Sequence, residues 1–126
     1  MKKTLIVMLC FFIFSLSACS QKYESAEKID SYGDQPSILN WEDIAFTEYH
    51  TIHTWAGEKL PDDVKIGKQI AIANEDNKEK LFEIEGFSTD EWVIVYSNAL
   101  MSEEYIIYKA DSVEAIPPEL ELSNFQ

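Results

Sequence analysis

His50 and His53 are the only two histidines of the chain, and their H-x-x-H spacing is the first pattern that could do chemistry. On a helix the two rings would share a face and could ligate a metal together. In a strand, residues i and i+3 point to opposite faces. The surrounding run, Ile44 to Trp55 (IAFTEYHTIHTW), is rich in Thr and aromatic residues and predicts one or two strands, so the pair is divided by its own backbone. A zinc site would also need a third or fourth ligand, such as Glu48 or Asp62. The acidic pairs Asp62-Asp63, Glu75-Asp76, Asp90-Glu91 and Glu103-Glu104 would suit a hard cation. None has the D-x-[DN]-x-[DN]-G spacing of a calcium loop, and solvated loop charge explains them. No metal site and no cofactor are expected.

Enzyme chemistry finds little to stand on. There is no Gly-x-Ser-x-Gly elbow, P-loop or dinucleotide fingerprint. Paired carboxylates can work across a glycosidic bond, but nothing singles out two of the 23 Asp and Glu residues. The chain has no Arg, and its ten Lys leave a formal net charge of −13. That balance excludes a nucleic-acid binder, which needs basic groups to displace counterions. A negative field steers cationic partners instead. Trp41 and Trp55 sit near turns and are candidates for an exposed aromatic patch that would meet a peptide or glycan. Together with His50 and His53 they form the candidate ligand-binding set. Trp92 opens the most apolar stretch and belongs in the core.

The elements that must position these residues begin after an address. Met1-Lys2-Lys3 precedes an apolar run from Leu5 to Phe14. As a helix that run is about 15 Å long, too short for a bilayer core of roughly 30 Å, so residues 1–18 read as a cleaved secretory signal. Leu16-Ser17-Ala18-Cys19 resembles the lipobox of bacterial lipoproteins. The resemblance implies cleavage between Ala18 and Cys19, a diacylglyceryl thioether on Cys19, and a place on the extracytoplasmic face of the cell membrane. Two acyl chains make such an anchor stable. Cys10 leaves with the leader, so the mature domain has no thiol and no disulfide.

Residues 19–36 are polar and charged, with Gly33 and Pro36, and predict a flexible tether; a short helix over Tyr23 to Ile29 is the alternative. Residues 37–126 predict one small β-rich domain, expected to be a monomer. In Leu81 to Phe87, Phe82 and Ile84 alternate with Glu83 and Glu85, as in a half-buried strand. Trp92 to Tyr96 (WVIVY) is apolar on both faces and predicts a central strand. It should pair with Tyr105 to Lys109 as a hairpin after the connector Ser97 to Glu104. Gly86 to Glu91 supplies turn chemistry. Ile66, Ile70 and Ile72 alternate in an earlier strand, with Gly67 marking a bulge. Asn74 to Lys80 reads as a charged loop or helical turn; Pro117-Pro118 stops regular structure, and the last eight residues read as a tail. The sum is a mainly β fold: a small antiparallel sheet of five or six strands, curled into a half-barrel or sandwich.

The order of features is similar to that of small, mostly uncharacterised lipoproteins of Gram-positive bacteria. The matching residues are the lipobox, Ile66-Gly67-Lys68, Leu81 to Phe87, Trp92 to Tyr96 and Tyr105 to Lys109. A weaker resemblance runs to lantibiotic-immunity lipoproteins, which implies a β-rich domain that binds a cationic peptide at the membrane surface. The expectation is a non-enzymatic, membrane-anchored binding module with a protein or cationic peptide partner. The alternatives are a metal- or ion-binding surface module using His50 and His53 and, further off, an envelope hydrolase.

Overall fold

Period-two alternation builds most of the chain. The computed structural model describes residues 23–74, 79–99 and 102–125. It contains seven strands: β1 (Glu24–Ile29), β2 (Ile38–Trp41), β3 (Ile44–His53), β4 (Ile66–Ala73), β5 (Glu79–Ile84), β6 (Trp92–Ala99) and β7 (Ser102–Ala110). They close into a barrel in the order β1-β2-β3-β7-β6-β5-β4. Every pairing is antiparallel except β1 with β4, which is parallel. The fold is thus a closed mixed barrel, which corrects the expected half-barrel or sandwich of five or six antiparallel strands.

The difference lies in the first two strands. β1 falls inside the stretch read as a flexible tether, and neither coil nor helix describes it, because its burial alternates with Ala26 and Lys28 turned inward. So polar a segment would not hold an extended form alone. It is strand because both of its neighbours have an open edge to fill, and a closed barrel leaves no edge exposed. The side chain of Asn74 extends the parallel seam, accepting from the Lys28 N–H at 3.2 Å and donating to the Lys28 carbonyl at 2.8 Å. β2 follows, joined to β3 by a two-residue turn in which Glu42 and Asp43 have φ of 53° and 61°. That left-handed pair is what a tight hairpin of right-twisted strands requires.

Two cores share the sheet. Leu39, Phe46, Leu81, Val93, Val95, Ile106 and Tyr108 fill the barrel interior. Ile52, Ile84, Trp92, Ile94, Ile107 and Leu120 form a second cluster. On β6, Val93 and Val95 serve the first while Trp92 and Ile94 serve the second, which is why this central strand reads apolar on both faces. Each fully buried Val, Leu, Ile or Phe stabilises by about 1.5–3 kcal/mol. The β6–β7 hairpin forms as expected, with the connector absorbed into it: Ser97 pairs with Glu104, Asn98 with Glu103 and Ala99 with Ser102.

The C-terminal residues are not a tail. Pro118 opens a 3₁₀ turn through Leu120, where its fixed φ and missing N–H cost nothing. Leu120 is fully buried, and the Tyr49 hydroxyl donates to its carbonyl at 2.6 Å. The β4–β5 pairing does slip beside Gly67, as a bulge there predicts. A Cβ at Gly67 would lie 2.5 Å from Cγ of Glu83, so any larger residue there would force the Glu83 side chain aside. Glu79 and Lys80, read as loop, belong to β5.

Candidate functional site

Moving along the strands toward one end of the barrel, the inward residue changes character on five of the seven strands and just before a sixth. Ala26 gives way to Lys28 on β1, Leu81 to Glu79 on β5, Val95 to Ser97 on β6 and Ile106 to Glu104 on β7. Leu39 gives way to Ser37 just before β2, and Phe46 to Glu48 on β3. These polar groups line an open cavity of about 500 Å³ at the mouth.

A bulge decides which residues of β3 reach it. The β3–β7 register shifts between Glu48 and His50, leaving Tyr49 as the extra residue. Without that shift Glu48, His50 and Ile52 would share a face. With it, Glu48, Thr51 and His53 line the cavity, while Ile52 joins the second core. Tyr49 packs edge-on against Trp92 at 5.1 Å. His50 lies against the Phe125 ring at 4.6 Å and is not among the residues lining the cavity. The two histidines do not meet, as strand geometry demanded. Among the described residues no group of three or more His, Cys, Asp or Glu side chains could hold a metal ion.

The cavity floor is a buried ion pair. Lys28 Nζ donates to Glu79 Oε1 at 2.6 Å and lies 3.0 Å from Asp30 Oδ1; the Lys28 and Glu79 side chains are 5% and 6% exposed. Burial works against the ammonium, but hydrogen bonds to Glu79 and Asp30 outweigh it and hold the Lys28 pKa above the ordinary lysine value. Glu79 Oε2, also buried, has no hydrogen-bond partner among the described residues. Beside the pair, Ser37 Oγ donates to the Ile29 carbonyl at 2.9 Å, so its single proton is committed. It therefore accepts from the Tyr108 hydroxyl at 2.7 Å. Desolvation pushes the Tyr108 phenol far above its usual range and keeps it a donor.

At the rim, His53 Nδ1 is 3.3 Å from Glu104 Oε2, close enough for attraction but not aligned as a hydrogen bond. Trp55 meets the His53 ring at 5.6 Å and is 63% exposed. It is presented by a 3₁₀ turn, Thr54–Ala56, that ends on Gly57 at φ 85°. The Thr54 hydroxyl pins this turn to β7 by donating to the Glu103 carbonyl at 2.7 Å. Trp41 is different. It is half-buried and packs against the interior cluster, so the expected exposed patch keeps Trp55 and loses Trp41. The signal at residues 1–18, including Ala18, and the lipidation site Cys19 lie outside the described residues.

Sequence reasoning missed Lys28, Glu79, Ser37 and Ser97. Glu79 shares its face with Leu81, which the alternation read from Phe82 and Ile84 assigns to the polar side with Glu83, so that reading turned Glu79 outward. For Lys28 no signal exists, because its strand carries almost no apolar residue to set a phase.

The chain thus defines a class: a small closed β-barrel bearing an acidic, half-open cavity at one mouth. A scan against protein-family models matches none, and searches of curated proteins and of solved structures return no match.

Proposed function

We propose that this chain is a non-enzymatic, membrane-anchored binding module that receives a cationic ligand in its barrel mouth. The observation that carries the reading is the charge of the cavity: Asp30, Glu48, Glu79 and Glu104 line it against the single ammonium of Lys28. Carboxylates in a concave wall of low dielectric focus a negative field and raise the local concentration of cations. The volume of about 500 Å³ suits a small molecule or one or two side chains of a peptide. No specific observation favours a metal module or a hydrolase.

The direction of β1 supports presentation outward. Its last residues border the mouth, whereas Glu24 lies at the opposite end beside Glu42 of the β2–β3 turn. The Glu24 contact, by hydrogen bond and by charge, pushes the Glu42 carboxyl above the usual carboxylate range. Five Cα steps separate Cys19 from Glu24, at most about 18 Å of extended chain. A lipid on Cys19 would hold the barrel close to the membrane with its acidic far end inward and its mouth turned away.

The test is a thermal melt of the full chain in mild detergent, with a lysine-rich cationic peptide, at two salt concentrations. Saturating ligand at a hundred times its Kd adds about 2.7 kcal/mol, which raises Tm by more than ten degrees in a domain of about 100 residues. The expected rise shrinks at high salt. A rise of equal size at both salts would remove the electrostatic reading.

A further inference from the structure

Resting on the binding reading above, we infer that the group seated in the mouth is a primary alkylammonium, from a lysine side chain or a free aliphatic amine, and that Glu79 receives it. Glu79 is a built acceptor. Its side chain is 94% buried, one oxygen is held by Lys28 at 2.6 Å, and Oε2 has no partner among the described residues. A buried carboxylate oxygen left without a donor is unfavourable, and a ligand that supplies one relieves it. The barrel already stabilises this chemistry, since the Lys28 ammonium sits between Glu79 and Asp30 on the same floor.

The arrangement of acceptors separates ammonium from guanidinium. A guanidinium binds best as a planar fork that engages both oxygens of one carboxylate. Glu79 has only one oxygen to offer, and Glu104 Oε2 faces His53. At Glu79 what remains is a single carboxylate oxygen, with Ser97 on β6 and Thr51 on β3 lining the same cavity from separate strands. An ammonium with three rotatable donors can use oxygens placed that way. At the rim the exposed Trp55 offers an indole for the aliphatic stem and for the cation as it passes.

Isothermal titration of the full chain in mild detergent at low salt decides the matter. The probes are Nα-acetyl-lysine methylamide, its arginine and Nε-acetyl-lysine counterparts, and pentane-1,5-diamine. The expected result is binding of the lysine amide and the diamine, at least tenfold weaker binding of the arginine amide, and none of the acetylated lysine. A tighter lysine amide marks a peptide ligand and a tighter diamine a free amine; either supports the shared chemistry. Glu79→Gln should weaken lysine-amide binding at least tenfold. Because that change also disturbs the Lys28 pair, Trp55→Ala provides a second arm on the exposed rim: it should leave Tm unchanged and weaken the same probe several-fold. Arginine amide binding as tightly as lysine amide would overturn the ammonium assignment while leaving the cationic reading in place. Binding of the acetylated lysine with the affinity of the free amine would overturn both.

Discussion

One barrel has two interiors. Away from the mouth, Leu39, Phe46, Leu81, Val93 and Val95 are packed without exposure. A single inward step along the same strands, the residues are Ser37, Glu48, Glu79 and Ser97 around an open cavity. The strands, the hydrogen-bond ladder and the twist are common to both halves, so backbone structure does not account for the contrast. The apolar half buries enough surface to hold the closed sheet, and this leaves the mouth free to keep charges that a folding core would exclude. Even so, the mouth is not loose. Lys28 is fixed through its backbone N–H and carbonyl by the Asn74 side chain, and through its ammonium by Glu79. Polar contacts, Lys28 with Glu79 and Ser37 with Tyr108, hold that half where apolar packing holds the other.

Four substitutions test the contrast. The largest effect belongs to the apolar half: Phe46→Ala removes a fully buried ring from the interior cluster and should cost about 3–5 kcal/mol, read as the loss of denaturant midpoint at constant m-value. A loss below about 1 kcal/mol would mean that the interior collapses around the gap and that this half is not the rigid one.

Next comes Lys28→Met, which strands the Glu79 carboxylate and should cost about 3 kcal/mol. The double variant Lys28→Met with Glu79→Leu should recover most of that, because the stranded charge is gone. If the double variant were as unstable as the single, the cost would lie in lost packing rather than in the unpaired charge. The same pair sets an alkaline limit. The Lys28 pKa is raised by folding, so its contribution is complete below the ordinary lysine value near 10.4 and disappears as pH rises through the folded value. Buried Tyr108, whose phenol is also pushed up, adds to the loss over the same range. The double variant should therefore lose stability less steeply above about pH 10.4 than the parent chain.

The smallest effect is Tyr108→Phe, which deletes the hydrogen bond to Ser37 but keeps the ring, at about 1 kcal/mol by the same midpoint measurement. A much larger loss would show that Ser37, Tyr108 and the Ile29 carbonyl act as one network holding β1 closed.

How much of this was legible follows the apolar residues. The strand over Ile66 to Ile72, the double-faced run from Trp92, its hairpin with Tyr105 to Lys109 and the bulge at Gly67 could all be read, because apolar side chains at period two mark a strand; on β4, though, the fully buried residues are Ala71 and Ala73 and the isoleucines are half-buried. The core position of Trp92 and the opposite orientation of the two histidines could be read for the same reason. β1 could not, since Glu24, Glu27 and Lys28 look like any solvated segment. The cavity shared that fate. Inward-facing Glu, Lys and Ser have the same sequence signature as outward-facing ones, and alternation tells two faces apart without saying which of them meets water.

The amino-acid sequence by itself determined a β protein with one strongly buried central hairpin, no histidine pair on a common face and a surplus of negative charge. Tertiary structure alone decided that β1 seals the sheet against β4, that Leu120 covers the second core, and that the bulge at Tyr49 turns His53 rather than His50 toward the mouth. The reason is physical. Local patterning reflects free energy gained by burying apolar surface within a few residues. Closing the barrel and gathering Lys28 with Glu79 depend on partners 51 positions apart, whose contribution exists only once the sheet has met itself.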